Sequence, residues 1–235
     1  MMGCQYSRIE ENLKRIREDI SRCAGMAGRN PDDIRLMAVT KTVPAELVNN
    51  AISHGVTYLG ENRAQELTAK YNDYEKKGVS IHFIGKLQTN KVRQIFDKVD
   101  MIESLDSNNL ALEIQKQAEK YNRTMNVLIE VNIGSEGSKS GIKPEMIDEM
   151  IGFLEKCPRI RLRGIMSIPP ICDSKSEIEG YFDRLQQLFV DIKGKIVDNK
   201  SVDILSMGMS GDYREAVKHG STLVRIGSAL FGVRD

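Results

Sequence analysis

The sequence is poor in the features that mark several common protein classes. Its four cysteines, Cys4, Cys23, Cys157 and Cys172, are widely spread and no two form a C-x-x-C pair. That spacing argues against a zinc or dithiol redox motif and fits reduced thiols in a cytoplasmic protein. No apolar run approaches the roughly 20 residues of a membrane span. The N-terminal segment is charged from Arg8 onward and lacks the apolar stretch of a signal peptide. The segment MGCQYS would match a myristoylation pattern if translation began at Met2, but an ordinary N-terminus is the simpler expectation. Charge is balanced, 34 basic against 33 acidic residues, with no basic stripe, so nucleic-acid binding is not expected. No G-x-G-x-x-G follows an expected strand, which counts against a dinucleotide fold. No linker-like or low-complexity stretch divides the 235 residues, so one domain over 1–235 is expected.

What is present alternates. Short apolar, β-branched runs predict strands near 34–40, 56–60, 80–85, 99–104, 126–133, 161–167, 203–207 and 222–227. Runs such as NVLIEVNI are apolar on both faces, as parallel strands covered on both sides must be. Helical patterns lie between them. Segment 7–24 aligns Ile9, Leu13, Ile16 and Ile20 on one stripe. Pro44 opens a helix that Gly55 ends. Further helices are expected over 107–121 and 144–156, and after the Ser174–Glu177 capping box. Eight β-then-α units predict a single (β/α)8 TIM-type barrel of the α/β class, with an extra N-terminal helix. An open doubly wound sheet is the alternative.

In a closed barrel, strand eight returns to strand one. Lys41, at the end of AVTK, then shares a rim with the two small-residue turns SMGMSGD and RIGSALFG. Barrel sites lie at this rim, and the loops after strands seven and eight often hold phosphate. Ser210 and Ser228 offer hydroxyls; Gly208, Gly211 and Gly227 let backbone N–H groups approach an anion. A lysine amine that loses its proton by burial can attack a carbonyl. An amine opposite a phosphate cradle is what pyridoxal phosphate requires. Arg225 lies two residues before Gly227, so both face the same way. Plainer readings stand beside these: a solvated strand-end lysine, simple tight loops, a structural ion pair at Arg225. A Schiff-base barrel enzyme acting on a sugar phosphate without any cofactor is a further alternative. His82 reads as a core or rim histidine, since no Ser or Cys nucleophile accompanies it.

The motifs AVTKTVP (38–44), GENRAQE (60–66), HFIGKLQTNK (82–91), IESLDS (102–107), VLIEVNIGSEGSKSGI (127–142), RGIMSIPP (163–170), SMGMSGDYREAV (206–217) and VRIGSALFG (224–232) resemble, in order and over nearly the whole chain, the family of pyridoxal phosphate homeostasis proteins. The resemblance implies the barrel of alanine racemase and pyridoxal 5'-phosphate as cofactor. It implies that Lys41 holds the cofactor aldehyde as a Schiff base, that Ser210, Gly227 and Ser228 hold the phosphate, that Arg225 faces the pyridine nitrogen and that Asn62 faces the ring side. Asn62 has a helix N-cap as its plainer reading. Ile81 stands where many relatives carry tryptophan, and Arg63 and Ala64 where bulkier residues occur.

A guanidinium donates and never accepts, so Arg225 would keep the pyridine nitrogen unprotonated and the ring a weak electron sink. The opposite-face tyrosine of alanine racemase comes from a second domain that the chain, ending at Asp235, is expected to lack. The family is accordingly viewed as a carrier, buffer or regulator of vitamin B6 cofactor, affecting amino-acid and keto-acid balance, without an established catalytic reaction. Apo forms of pyridoxal phosphate enzymes would be its partners, in a cytoplasmic monomer that needs no metal, nucleic acid or membrane. A pyridoxal phosphate-dependent racemase or lyase is the alternative. Lys86, Lys91 and Lys139 read as solvated rim lysines or as contacts to a second phosphate.

Overall fold

The computed structural model describes residues 2–134, 140–195 and 202–232, with side chains from Tyr6 onward. Among them, eight parallel strands close into a barrel in sequence order. They are β1 (Arg35–Val39), β2 (Tyr58–Glu61), β3 (Ser80–Phe83), β4 (Met101–Leu105), β5 (Met125–Glu130), β6 (Ile160–Met166), β7 (Ile204–Ser206) and β8 (Leu223–Ile226). Each predicted run overlaps one of them, with ends displaced by up to three residues. The longest displacement is after β5. The chain there leaves the sheet at Glu130, although Ile133 continues the apolar run. Val131 instead bridges to Ile142, and the Ile142 N–H donates to the Glu130 carbonyl.

The barrel is filled from the bottom. Met37, Met101, Leu128, Met166, Ile204 and Leu223 form an apolar interior plug, with Tyr58 and Ile84 packed against it. The outward faces of the strands meet the helices in a larger apolar layer. The helices are α1 (Met2–Met26), α2 (Ala45–Ser53), α3 (Ala64–Lys70), α4 (Thr89–Ile95), α5 (Asn108–Lys120), α6 (Ile147–Leu154), α7 (Lys175–Lys195), α8 (Tyr213–Lys218) and α9 (Ser228–Phe231). Their starts follow the expected chemistry. Ser107 Oγ accepts from Leu110 N–H, and Ser174 Oγ accepts from Glu177 N–H at 3.2 Å. Pro144 opens a 3₁₀ turn ahead of α6 rather than the α-helix itself.

The extra helix α1 straps the seam between first and last units. Ile9, Leu13, Ile16 and Ile20 are buried, each contributing about 2 kcal/mol by leaving water. The Asn12 side chain donates to the Leu230 carbonyl beyond β8, and Arg17 donates to the carbonyls of His54 and Gly55 beyond α2. Asp19 accepts from the Tyr213 hydroxyl at 2.8 Å and from Arg214 at 2.7 Å on α8. Under this strap, β8 pairs with β1 in the register Met37–Arg225 and Ala38–Ile226. That pairing sets the turn after β1 beside the turn after β8.

Candidate functional site

Lys41 is two residues past the end of β1, exposed at the C-terminal rim. Its turn is held from below. Thr40 is fully buried, and its hydroxyl donates to Glu61 Oε1 at 2.6 Å. The Tyr74 hydroxyl donates to the same oxygen at 2.5 Å. Burial and the Glu61 charge both push the Tyr74 phenol well above its ordinary range. Lys70 donates to the carbonyls of Thr40 (3.0 Å) and Val43 (3.1 Å) and to Glu66 (2.6 Å). Glu66 also accepts from the Thr42 N–H. Thr42 takes φ +60, a left-handed conformation that is costly for a β-branched residue. Glu66, which accepts from Thr42, and Glu61, which holds Thr40 beneath the turn, belong to the motif GENRAQE.

Asn62 follows β2 directly. It is not a helix cap: Arg63 occupies the N-cap position of α3, without a side-chain cap bond. The Asn62 backbone carbonyl and side-chain oxygen crowd Gly85, where a Cβ would lie 2.1 Å from the carbonyl oxygen. Gly85 therefore admits no side chain, and the turns after β2 and β3 interlock.

The turns after β7 and β8 are joined through Ser210. Its hydroxyl oxygen accepts from the N–H groups of Gly227 (3.2 Å) and Ala229 (3.1 Å) at the start of α9. Ser228 lies between them at the rim, exposed. The β7 turn has its own brace: Met209 N–H donates to Asp212 Oδ1 at 2.5 Å. Gly208 at φ +92 packs its Cα against Ala216, where a Cβ would come within 2.5 Å of the alanine methyl. Two convergent N–H groups on one oxygen form the arrangement an anion oxygen needs.

Between these turns, Arg225 lies inside the barrel with 3 % of its surface exposed. Nη1 donates to Ser206 Oγ at 2.7 Å and Nη2 to the Ser167 carbonyl at 2.8 Å. The Ser206 hydroxyl donates onward to Glu103 Oε2 at 2.7 Å. Glu103 Oε1 meets His82 Nδ1 at 2.6 Å, and His82 Nε2 lies 3.1 Å from Ser80 Oγ. A polar chain thus runs along the barrel interior from the rim toward the strand starts. Burial would raise the Glu103 carboxyl, but the His82 hydrogen bond and the nearby cations outweigh it and hold the group below its ordinary value. Burial lowers Arg225, opposed by Glu103, Asp212 and Glu130. Arg225 is therefore neither a bare cation nor a simple ion pair; Ser206 mediates its compensation.

Glu130 ends β5 on the same interior face. Its pairing partner Met166 and its neighbour Leu128 both belong to the interior plug. Burial, then the Asp106 charge, push its carboxyl up to about 7. Lys86 is exposed on this rim and opposes that shift, whereas Lys91 is half-buried in α4. Lys139 lies outside the described residues. His82 is a core histidine, fully enclosed by its Glu103 pair. Glu61, Glu66, Lys70, Glu103, Ser206 and Glu130 were not singled out from the sequence. For all but Lys70 the one signal was a polar or charged residue inside an apolar strand or a family motif; Lys70, at the end of α3, lies in neither. A cleft of about 580 Å³ opens between Arg17, Asp32 and Tyr58 at the opposite end of the strands and touches none of these groups. Among the described residues no group of His, Cys, Asp and Glu could hold a metal ion, and no helix is long and apolar enough to cross a membrane.

The profile of the alanine racemase N-terminal domain matches residues 11–235. The chain is 41% identical over 224 residues to the pyridoxal phosphate homeostasis protein of Aquifex aeolicus (strain VF5), covering 95% of this chain and 97% of that one. It is 40% identical over 230 residues to the protein of the same name from Escherichia coli (strain K12), covering 97% of each. Among solved structures it is similar to PipY of Synechococcus elongatus PCC7942 with pyridoxal phosphate bound, with a TM-score of 0.82 at 28% identity, covering 95% of this chain and all of that one. The chain belongs to the pyridoxal phosphate homeostasis protein family, built on the alanine racemase N-terminal barrel.

Proposed function

We propose that this protein binds pyridoxal 5'-phosphate at the C-terminal rim of the barrel, with the cofactor on Lys41 as a Schiff base, and carries or buffers it inside the cell. The whole chain, 1–235, is read as one cofactor-binding barrel domain that works as a monomer. The observation that carries the proposal is the β1–β8 pairing. It brings the Lys41 turn beside the Ser210–Gly227–Ala229 arrangement, with Arg225 between them on the interior face. The donor set fits the cofactor: an amine for an aldehyde, converging N–H groups and hydroxyls for a phosphate, and a guanidinium for a pyridine nitrogen. When bound, the cofactor supplies an electrophilic aldehyde and a conjugated ring.

The chain's own residues then divide the work. The Lys70 and Glu66 bonds orient Lys41. Ser210, Gly227 and Ser228 hold the phosphate, and Asn62 borders the ring. Arg225, fixed through Ser206, donates to the ring nitrogen and keeps it unprotonated, so the ring withdraws electrons weakly. That suits holding and release better than turnover of amino acids, and apo pyridoxal phosphate enzymes are the proposed recipients. The PipY structure with bound cofactor and the names of the curated relatives support the reading.

The test is the visible spectrum before and after borohydride reduction, with peptide mapping. The expected result is a reducible yellow chromophore mapping to Lys41 and lost in Lys41→Ala. Label on another lysine refutes the assignment. Deuterium exchange at the α-carbon of amino acids separates carriage from catalysis: rates near an ordinary turnover of about 10 per second would overturn the carrier reading.

A further inference from the structure

Among the described residues, several buried side-chain atoms lack a hydrogen-bond partner: Asn50 Oδ1, Glu61 Oε2, Ser104 Oγ, Gln117 Oε1 and Glu130 Oε2. Asn50 and Gln117 lie on outer helices, and Glu61 points into the layer of Thr40 and Tyr74. Glu130 differs in place. It projects into the barrel at the C-terminal end of β5, 8 % exposed, close enough to Arg225 for each to shift the other's charge.

A carboxylate oxygen only accepts, so the missing partner is a donor. Arg225 does not fill that role with the two nitrogens already engaged, since Nη1 serves Ser206 and Nη2 the Ser167 carbonyl. Charge points the same way. Glu103 already compensates Arg225 through Ser206, and Glu130 adds a second interior carboxyl. Asp106 after β4 and Asp212 after β7 add further negative charge around the pair, opposed by Lys86 after β3. The loaded mouth is therefore short of one buried cation with an N–H donor.

We propose that Glu130 receives the ammonium group of a primary amine that enters the barrel mouth and displaces Lys41 from the cofactor. This inference rests on the reading that Lys41 carries pyridoxal phosphate, and it gives release its chemistry. The exchange balances without any oxidant or reductant. One proton of the ammonium passes to the Glu130 carboxylate, and the freed nitrogen forms a C=N bond to the carbon that Lys41 held. The Lys41–carbon bond breaks, and the two remaining N–H protons of the incoming amine end on the Lys41 nitrogen. Burial and Asp106 keep the Glu130 carboxyl near neutrality, where a group can take up and return a proton. Guanidinium and quaternary ammonium ions meet the charge requirement but cannot form the new bond, which restricts productive ligands to primary amines.

The experiment uses the cofactor-loaded full chain, with ethanolamine and hydroxylamine as probes. Borohydride quenching at timed intervals reads how much cofactor remains on Lys41. Ethanolamine arrives protonated at neutral pH and needs a proton acceptor; hydroxylamine arrives uncharged and does not. Glu130→Gln is expected to slow displacement by ethanolamine by about a hundredfold, while hydroxylamine displaces at the unmodified rate. The unmodified protein's ethanolamine rate should also rise through pH 7 with an inflection that the variant lacks. Equal rates with ethanolamine overturn the proposal, as does equal slowing with both probes, which marks a structural role. Absence of label on Lys41 in unmodified protein overturns the cofactor reading and this inference together, a result distinct from an unchanged ethanolamine rate.

Discussion

Lys70 donates from its ammonium to the Thr40 carbonyl at 3.0 Å, on one side of Lys41, and reaches the Val43 carbonyl on the other. A cation from α3 thus clamps the turn that presents the cofactor lysine. Replacing it with methionine removes the donor from two carbonyls and leaves Glu66 with the Thr42 N–H alone. Lys70→Met should destabilise the fold by about 2–4 kcal/mol. It should also slow formation of the reducible chromophore, because Lys41 then samples several orientations. Thermal unfolding and the rate of chromophore appearance after adding cofactor check the two effects. Lys70→Arg should recover part of both, and a fully active Lys70→Met protein would reject the clamp.

The second expectation concerns the phosphate. Ser210 Oγ holds the N–H groups of Gly227 and Ala229 in convergence. A bulky side chain at Gly227 would cover that spot. Gly227→Phe should weaken cofactor binding more than Lys41→Ala does, with Kd rising about tenfold for every ~1.4 kcal/mol of phosphate binding energy removed. Equilibrium dialysis measures it, and unchanged affinity in a folded variant would rule the cradle out.

The barrel was readable because each strand is a compact apolar run bounded by Gly, Pro or a polar turn, and because alternation with helices leaves few topologies. The short helices α3 and α4 were not delimited. Each is seven residues long and lacks a side-chain cap bond. Much of the rim was also legible, since Arg225 is spaced from Gly227 by one strand period. The interior chain was not. Whether Glu103 meets His82 or Ser206 depends on how strands are staggered, and the register shifts between Ile102 and Leu105 and again between Val127 and Leu128. Such irregularities leave no mark in residue type. The same holds for Thr42, a β-branched residue whose left-handed backbone no propensity predicts.

That interior chain gives a third prediction. Ser206 accepts from Arg225 and donates to Glu103, so the three act as one unit. Glu103→Gln removes the carboxylate that Ser206 links to the buried guanidinium and should cost about 3–5 kcal/mol. Arg225→Met in the same chain should restore part of it. A double-mutant cycle by denaturant unfolding should show coupling of about 1–3 kcal/mol, and additive losses would deny the linkage.

Acid should loosen the α1 strap first. Asp19 is held at about 2: burial would raise it, but hydrogen bonds from Arg214, Tyr213 and Arg22 lower it further. A depressed carboxylate contributes stability that is present above its unfolded value, near 4, and lost as pH falls toward 2. Asp19→Asn should therefore flatten the stability–pH curve between about pH 5 and 2 while lowering stability at pH 7. A slope unchanged in that window would show that Asp19 contributes none of it.

Glu130 predicts the opposite sign. Its carboxyl is raised to about 7 by burial and by Asp106, so the folded protein binds this proton more tightly than the unfolded chain. Ionising it costs stability. The penalty begins above the ordinary carboxylate value near 4, grows as pH rises, and is complete above pH 7. Glu130→Gln removes the charge and keeps the shape. The variant should match the unmodified protein at pH 4 and exceed it at pH 8 by about 1–3 kcal/mol. Thermal unfolding of the cofactor-free proteins across that range is the measurement. A stabilised variant that has lost ethanolamine exchange would mean that the orphan carboxyl is kept at a cost in stability because release of the cofactor needs it. A variant whose advantage over the unmodified protein is no larger at pH 8 than at pH 4 would mean that Glu130 finds a partner in solution, and the mouth would then have no buried acceptor waiting for an amine.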